Sequence, residues 1–305
     1  MFNHLIVQAG GRGSRMGYLT ENKPKCLISI HGKPLLYALG NTFKGCRFYI
    51  IADYKSDVLK NYLKTFPPPF KYQIIKSTGR GTASGIKDAL KYIPKSTEFG
   101  IVWSDIYFNK PLWVASAGIN YIGITDELRC RWSIQKNELE EKASSKNGIV
   151  GFFSFANKET LKNIPESGEF VKFLKEEKTG LLSIHLKGIK EIGTLEAYNE
   201  IRKRESSARF FNSVTINAHS VVKKAVNKEY SNLIDKEKEW YKFIMKNNYA
   251  HIPQIISFSP FIMERVIGKS PNVLGHKLKR GEKNAFAQFN IFCFRRYAPY
   301  GIPFI

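Results

Sequence analysis

Residues 8–26 read QAGGRGSRMGYLTENKPKC and follow the apolar run LIV. Within them Gly10, Gly11 and Gly13 stand close to two cations, Arg15 and Lys25. Glycine has no Cβ, so the chain can bend sharply there and bring its N–H groups against a bulky anion. Arginine and lysine add fixed positive charge at the same place. The combination suits a polyphosphate. A Walker A loop is excluded, because no GxxxxGK string begins at Gly10, Gly11 or Gly13. The GKS at residues 268–270 has Met263 in place of the first glycine. A dinucleotide fingerprint is excluded too: Met16 stands where its third glycine belongs, and residues 28–36 hold no acid for a ribose.

The string GGRGSRMGYLTENKPKCL resembles the signature GGxGxRxxxxTxxxPKxL of the sugar-phosphate nucleotidyltransferases, with every fixed position at its spacing. The resemblance extends from residue 1 to about residue 204. In that family an acceptor phosphate attacks the α-phosphorus of a nucleoside triphosphate and expels pyrophosphate, with Mg2+ as cofactor. The resemblance implies that Gly10, Gly11 and Gly13 receive the nucleotide. It puts Arg15 near the β- and γ-phosphates and Lys25 near the reacting phosphate. Asp105 ends the run FGIVWSD and matches the family's catalytic and metal-binding Asp, with Ser104 replacing the usual glycine. Glu191, in KEIGTLEAY, stands where the family has its second metal-binding Asp. Gly81 and Thr82, in TGRGTASG, resemble the segment under the base. Glu141 and Lys142 resemble the EKP pair near the acceptor sugar, with Ala143 replacing the proline.

Elements able to position these groups are legible around them. HLIVQAG, FYIIAD (48–53), KYQIIKS (71–77) and FGIVWSD (99–105) read as short apolar strands. Amphipathic stretches over 54–65 and from Thr82 to Tyr92 separate them. That alternation predicts an α/β domain with a doubly wound, mainly parallel sheet over residues 1–205. GIVGFFSF (148–155) and GLLSIHLK (180–187) extend the sheet, with helices around 157–164 and 168–177.

After about residue 205 the pattern changes to a second, α+β domain, 206–305. ARFFNSVTINAHSVVKKAV predicts two strands, LIDKEKEWYKFIMKNN a helix, and IPQIISFS and FIMERVIG further strands. This stretch resembles the small lobe of choline-kinase-like and aminoglycoside-phosphotransferase-like enzymes. The resemblance implies a pairing of Lys223 or Lys224 with Glu237 or Glu239. Yet the last Asp of the chain is Asp235, and from Pro271 the periodicity is lost. Without base and magnesium carboxylates phosphoryl transfer has no machinery. A truncated small lobe without kinase activity is expected.

The formal charge of +22 divides as +11, −1 and +12 over residues 1–100, 101–200 and 201–305. A basic first third suits a triphosphate and a phosphorylated small-molecule acceptor. The basic last third would suit nucleic acid or anionic lipid, but no nucleic-acid module is recognisable there, and nucleic acid is not an expected partner. No apolar run approaches the roughly 18 residues of a membrane span. With no signal-peptide pattern, a cytoplasmic protein is expected. Cys26, Cys46, Cys130 and Cys293 form no CxxC pair, so reduced thiols are expected. The leading reading is an enzyme that makes a nucleotide-activated sugar from a sugar 1-phosphate for surface polysaccharide. A cytidylyltransferase for phosphocholine or a similar ester, and a non-catalytic basic protein that binds nucleic acid or regulates an enzyme, stay open. Base, acceptor and oligomeric state are not written in the residues.

Overall fold

The run HLIVQ forms strand β1 (His4–Gln8), with Leu5, Ile6 and Val7 fully buried. Both of its faces are covered, and an uninterrupted apolar run is what that position requires. The computed structural model describes residues 2–109, 112, 118–136, 138–202, 211–247 and 252–267. The chain divides into two compact units, Met1–Glu205 and Ser206–Ile305.

In the first unit, β1 is followed by a hairpin, β2 (Ser29–Ile30) and β3 (Lys33–Pro34), and then by α1 (Leu35–Thr42). Next come β4 (Arg47–Ile51), α2 (Ser56–Thr65), β5 (Tyr72–Ile75), α3 (Gly81–Leu90) and β6 (Phe99–Trp103). β4 lies parallel on one side of β1 and β6 parallel on the other, with β5 beyond β4. The chain thus moves outward from β1 to β5 and then crosses back to β1's other side. Such a reversal leaves a crevice at the carboxyl ends of β1 and β6, because the connections depart in opposite directions.

β7 (Ile106–Phe108), β8 (Tyr121–Thr125), β9 (Ser133–Gln135), β10 (Glu138–Glu140) and β11 (Gly148–Phe155) come next. α4 (Phe170–Glu176), β12 (Leu182–His185), β13 (Ile189–Glu191) and α5 (Leu195–Arg202) complete the unit. β11 is buried along its whole length and runs antiparallel to β6, so the centre of the sheet is parallel and this flank is not. β13 pairs antiparallel with β7 in a separate two-stranded ribbon. The helix expected over 157–164 is only a 3-10 turn, Lys158–Leu161, whose start is capped by the Asn157 side chain. Pro165 follows shortly and disfavours helical backbone in the residue before it.

The second unit holds β14 (Asn212–Ile216), β15 (Ser220–Ala225), α6 (Ser231–Lys246), β16 (Ile255–Phe258) and β17 (Phe261–Glu264). Its sheet is antiparallel in the order β14–β15–β17–β16. Ile234 of α6 packs with Phe261 and Met263 to form its core. Residues 268–305, including Glu282 and Cys293, lie outside the described residues. No helix among the described residues is long and apolar enough to cross a membrane.

Cys26, Cys46 and Cys130 are free and buried. Burial pushes the Cys26 thiol up to about 12, and those of Cys46 and Cys130 up to about 11. Reaction with iodoacetamide at pH 8 should therefore be about 100-fold slower or more at these three positions than in the unfolded chain. Peptide mass mapping of native and urea-denatured protein measures this. Rapid labelling of native Cys26 would show that its surroundings are open.

Candidate active site

The glycine loop leaves β1 at the crevice. A Cβ on Gly10 would fall 2.5 Å from Asp53 Oδ2, so any larger residue would force this carboxylate to shift. Asp53 accepts hydrogen bonds from the Ser77 N–H and hydroxyl, both at 2.9 Å, and so ties the end of β4 to the end of β5. Gly13 takes a left-handed φ of 65°, a conformation that glycine adopts without strain. The Thr20 hydroxyl lies 3.0 Å from the Gly13 carbonyl and 3.2 Å from that of Gly17, within donating range of both. The threonine of the motif thereby closes the loop on itself. Pro24 is extended and opens a 3-10 turn, Lys25–Leu27, which carries Lys25 back beneath Gly13. Around Gly11 the space is open: a Cβ there would meet nothing within 4 Å.

Asp105 sits in the turn between β6 and β7, across the crevice from the loop. Lys25 Nζ lies 2.5 Å from Asp105 Oδ2, and both side chains are only 13% exposed. The Asp105 carbonyl accepts from Ile192 N–H at 2.8 Å, and β13 sets Glu191 opposite Ile106. That pairing carries Glu191 to the same place from a distance of 86 residues in the chain. Burial, and then the charge of Asp105, push the Glu191 carboxyl above its ordinary 4.5; Lys25 and Arg15 pull in the opposite direction without cancelling them. Arg15 Nη2 lies 3.8 Å from Glu191 Oε1, with side chains 66% and 34% exposed. Pairs of this kind contribute little to stability, which leaves Arg15 free to change partners. Two cations and two carboxylates thus share one end of the sheet.

Gly81 and Thr82 serve packing in this structure. Gly81 lies against the Gly168 backbone, where a Cβ would come 2.2 Å from the carbonyl oxygen. The Thr82 hydroxyl accepts from Phe170 N–H at 2.8 Å, at the start of α4. The Gln8 side chain donates to the Thr82 carbonyl at 3.3 Å and holds the first turn of α3 beside the end of β1. Glu141 and Lys142 follow β10. Glu141 is engaged by Arg131, which also reaches Glu169, and the Lys142 carbonyl accepts from the Ser133 hydroxyl at 3.1 Å. Among the described residues no hydrogen bond or ion pair joins Glu141 or Lys142 to the Lys25–Asp105 group. The neighbouring Cys130 thiol is pushed up by burial and then by Glu191's charge.

Three supporting contacts were not anticipated from the sequence: Asp53 on Ser77, Arg131 between two glutamates, and Asp88 on Thr78. Asp53 had a readable signal, an acid at the carboxyl end of a parallel strand. The other two join residues with no common motif.

Residues 5–117 match the model of the MobA-like NTP transferase domain. Over 110 residues the chain is 31% identical to the bifunctional protein GlmU of Methanocaldococcus jannaschii, a match covering 35% of this chain. The same match covers 26% of GlmU, so about a quarter of that relative's length is represented. Among solved structures, HddC from Yersinia pseudotuberculosis superposes with a TM-score of 0.55 at 25% identity, over 67% of this chain and 99% of HddC. A UDP-glucose pyrophosphorylase complexed with UDP-glucose superposes with a TM-score of 0.53 over 67% of this chain and 98% of its own. At 14% identity that likeness is one of fold. The N-terminal unit therefore contains a stretch that matches an NTP transferase domain, and it has the fold of the sugar-nucleotide pyrophosphorylases.

The loop from β5 to α3 depends on Asp88. Burial pushes this carboxyl up, but hydrogen bonds from Lys91 and from the Thr78 N–H and hydroxyl outweigh it and hold the carboxyl below its ordinary 3.8. The stabilisation is present above pH 3.8 and is lost as pH falls through the lowered folded value. Asp88→Asn should reduce stability by about 1.5–3 kcal/mol at pH 7, the usual worth of hydrogen bonds to a charged group. Urea denaturation at pH 7 and pH 3 checks this. The deficit should shrink at the lower pH, and an equal deficit at both would rule the charge out as the cause.

Proposed function

We propose that the N-terminal unit transfers a nucleoside monophosphate from a nucleoside triphosphate to a phosphorylated sugar and releases pyrophosphate. The observation that carries this reading is the Lys25–Asp105 contact, at 2.5 Å, beside the glycine loop at the sheet's switch point. In the reaction an acceptor phosphate oxygen bonds to the α-phosphorus, and the bond from that phosphorus to the bridging oxygen breaks. Pyrophosphate carries away the electron pair. No group on the protein need become covalently attached, so its work is to align two anions and offset their charge. Gly10 to Gly13 admit the phosphates to the backbone. Arg15, mostly exposed and loosely paired, is suited to the β- and γ-phosphates that leave. Lys25, set under the loop, is suited to the α-phosphate and the incoming acceptor.

Asp105 and Glu191 fit a hard divalent cation. Both are oxygen donors, and the Ile192 N–H bond to the Asp105 carbonyl, with Glu191 opposite Ile106, sets their backbones side by side. Magnesium bound there would supply charge neutralisation to the phosphates. Gly81 and Thr82 would border the base, and Glu141 and Lys142 the acceptor. A sugar 1-phosphate is the favoured acceptor, with a cytoplasmic enzyme supplying the product for surface polysaccharide.

The second unit favours a further reading. Lys223 Nζ lies 2.6 Å from Glu237 Oε1 between sheet and helix, the pairing expected of a phosphotransferase small lobe. A partial lobe of that kind, following a nucleotidyltransferase domain in the chain, would favour phosphocholine, activated with cytidine, as the alternative acceptor. The Lys25–Asp105 contact speaks against a non-catalytic basic protein.

A pyrophosphate-release screen of four triphosphates against sugar 1-phosphates and phosphocholine tests the reading. One pair should turn over, and Lys25→Ala and Asp105→Ala should each lower its rate by about 100- to 1000-fold with unchanged circular dichroism. Variants that keep near-wild-type rates would remove both residues from the chemistry. Full-length protein given labelled ATP should phosphorylate neither choline, ethanolamine, aminoglycosides nor sugars. A phosphorylated product lost in the Lys223→Ala/Lys224→Ala variant would overturn the description of the second unit as a silent lobe.

A further inference from the structure

Each of the two carboxylates suited to a metal already faces one of the two cations suited to phosphate. Lys25 stands 2.5 Å from Asp105, and Arg15 stands 3.8 Å from Glu191. The two pairs differ in kind. Lys25 and Asp105 are almost withdrawn from water, whereas Arg15 is 66% exposed. A dication held by Asp105 and Glu191 would meet the Lys25 ammonium at short range, in a place where little water screens the repulsion. Lys25 therefore competes with a metal for Asp105.

The lysine has somewhere else to go. Its stem runs along the glycine loop: a Cβ on Gly13 would come within 3.2 Å of Lys25 Cβ and 3.4 Å of Cδ. Only the far end of the side chain leans across to Asp105. A triphosphate lying on the loop would offer the ammonium stronger negative charge, with no movement of the backbone. The rotatable stem of lysine makes that exchange possible, where a rigid guanidinium fork would be harder to redirect.

We propose that Lys25 is a placeholder counter-ion that makes metal binding depend on the triphosphate. While Lys25 holds Asp105, the two-carboxylate site rejects divalent cations. When phosphates take Lys25, and the exposed Arg15 with it, Asp105 and Glu191 are freed together for the metal. Metal and triphosphate then strengthen each other's binding by the same factor, as reciprocal linkage requires. The proposal rests on the nucleotidyl-transfer reading and adds to it the order in which charges are exchanged.

Manganese is the probe, because loss of the free-ion paramagnetic resonance signal reports binding without turnover. Full-length wild-type protein should leave millimolar Mn2+ free. Lys25→Met should bind Mn2+ alone about tenfold more tightly or better, about 1.4 kcal/mol at 25 °C. Lys25→Arg should continue to exclude it. Asp105→Asn placed on Lys25→Met should abolish the gain. Lys25→Gln, which keeps a donor for Asp105, replaces Lys25→Met if that variant does not fold. Tight Mn2+ binding by wild-type protein that Asp105→Asn removes, or no gain in either neutral variant, overturns the placeholder. Calorimetry with a non-hydrolysable triphosphate and Mn2+ separates the two levels. If wild-type protein binds no such complex, it is the nucleotidyl-transfer reading that falls.

Discussion

Strand order reverses at β1, and the site depends on that reversal. β4 and β6 flank β1 in parallel, so the connections after β1 and after β6 open away from one another. The glycine loop enters the resulting crevice from one side and Asp105 from the other. Neither group is near the other in the chain, since 80 residues separate Lys25 from Asp105. A one-residue slip of β6 against β1 would turn Trp103 and its neighbours to the opposite face and carry Asp105 away from Lys25. Packing fixes that register, with Ile6 of β1 and its partner Ile101 of β6 both buried in the main core.

Within the crevice, electrostatics sets the terms. Four charged groups of balanced sign occupy a place partly withdrawn from water, and a carboxylate there is tolerated only beside a cation. Lys25 meets that need for Asp105 directly and for Glu191 at longer range. A site built this way is stable as it stands, yet can change partners. A polyanion brings equivalent negative charge to the cations and releases equivalent demand on the carboxylates. The β7–β13 ribbon is what makes the exchange a joint one, because it pins Glu191 to the Asp105 backbone through Ile192.

The outer supports are of a different character. Asp53 on Ser77 and Asp88 on Thr78 each use a carboxylate to satisfy the N–H and the hydroxyl of a connection, and Thr82 on Phe170 satisfies the first N–H of α4. Connections at the rim of a sheet have no ladder partner, so their N–H groups are satisfied by side chains or water. These contacts explain why the carboxyl edge of the sheet is rich in Asp, Ser and Thr beyond what the chemistry asks for. In the second unit Lys223 and Glu237 form the corresponding charged pair between a strand and a helix.

The sequence by itself determined what rests on local backbone and burial. The GGRGSR string pointed to a loop open to an anion, because Gly13 takes a left-handed φ that favours glycine and a Cβ on Gly10 would crowd the Asp53 carboxylate. Fully apolar runs such as LIV and GIVGFFSF dictated buried strands, and Asp105 was legible as an acid at the end of one. Strand direction was not legible: β11 looks the same from either end when both faces are buried, and only packing made it antiparallel to β6. Length was misjudged at 157–164, where turn chemistry at Asn157 and Pro165 left a single 3-10 turn. The tertiary structure alone decided which charges meet. Ion pairs across 80 or more residues depend on register and on the pairing of β13 with β7, and no local periodicity records either. For the same reason only the structure could place Thr82 on Phe170 and Glu141 on Arg131, where polar residues with a motif-like appearance are held by distant parts of the chain.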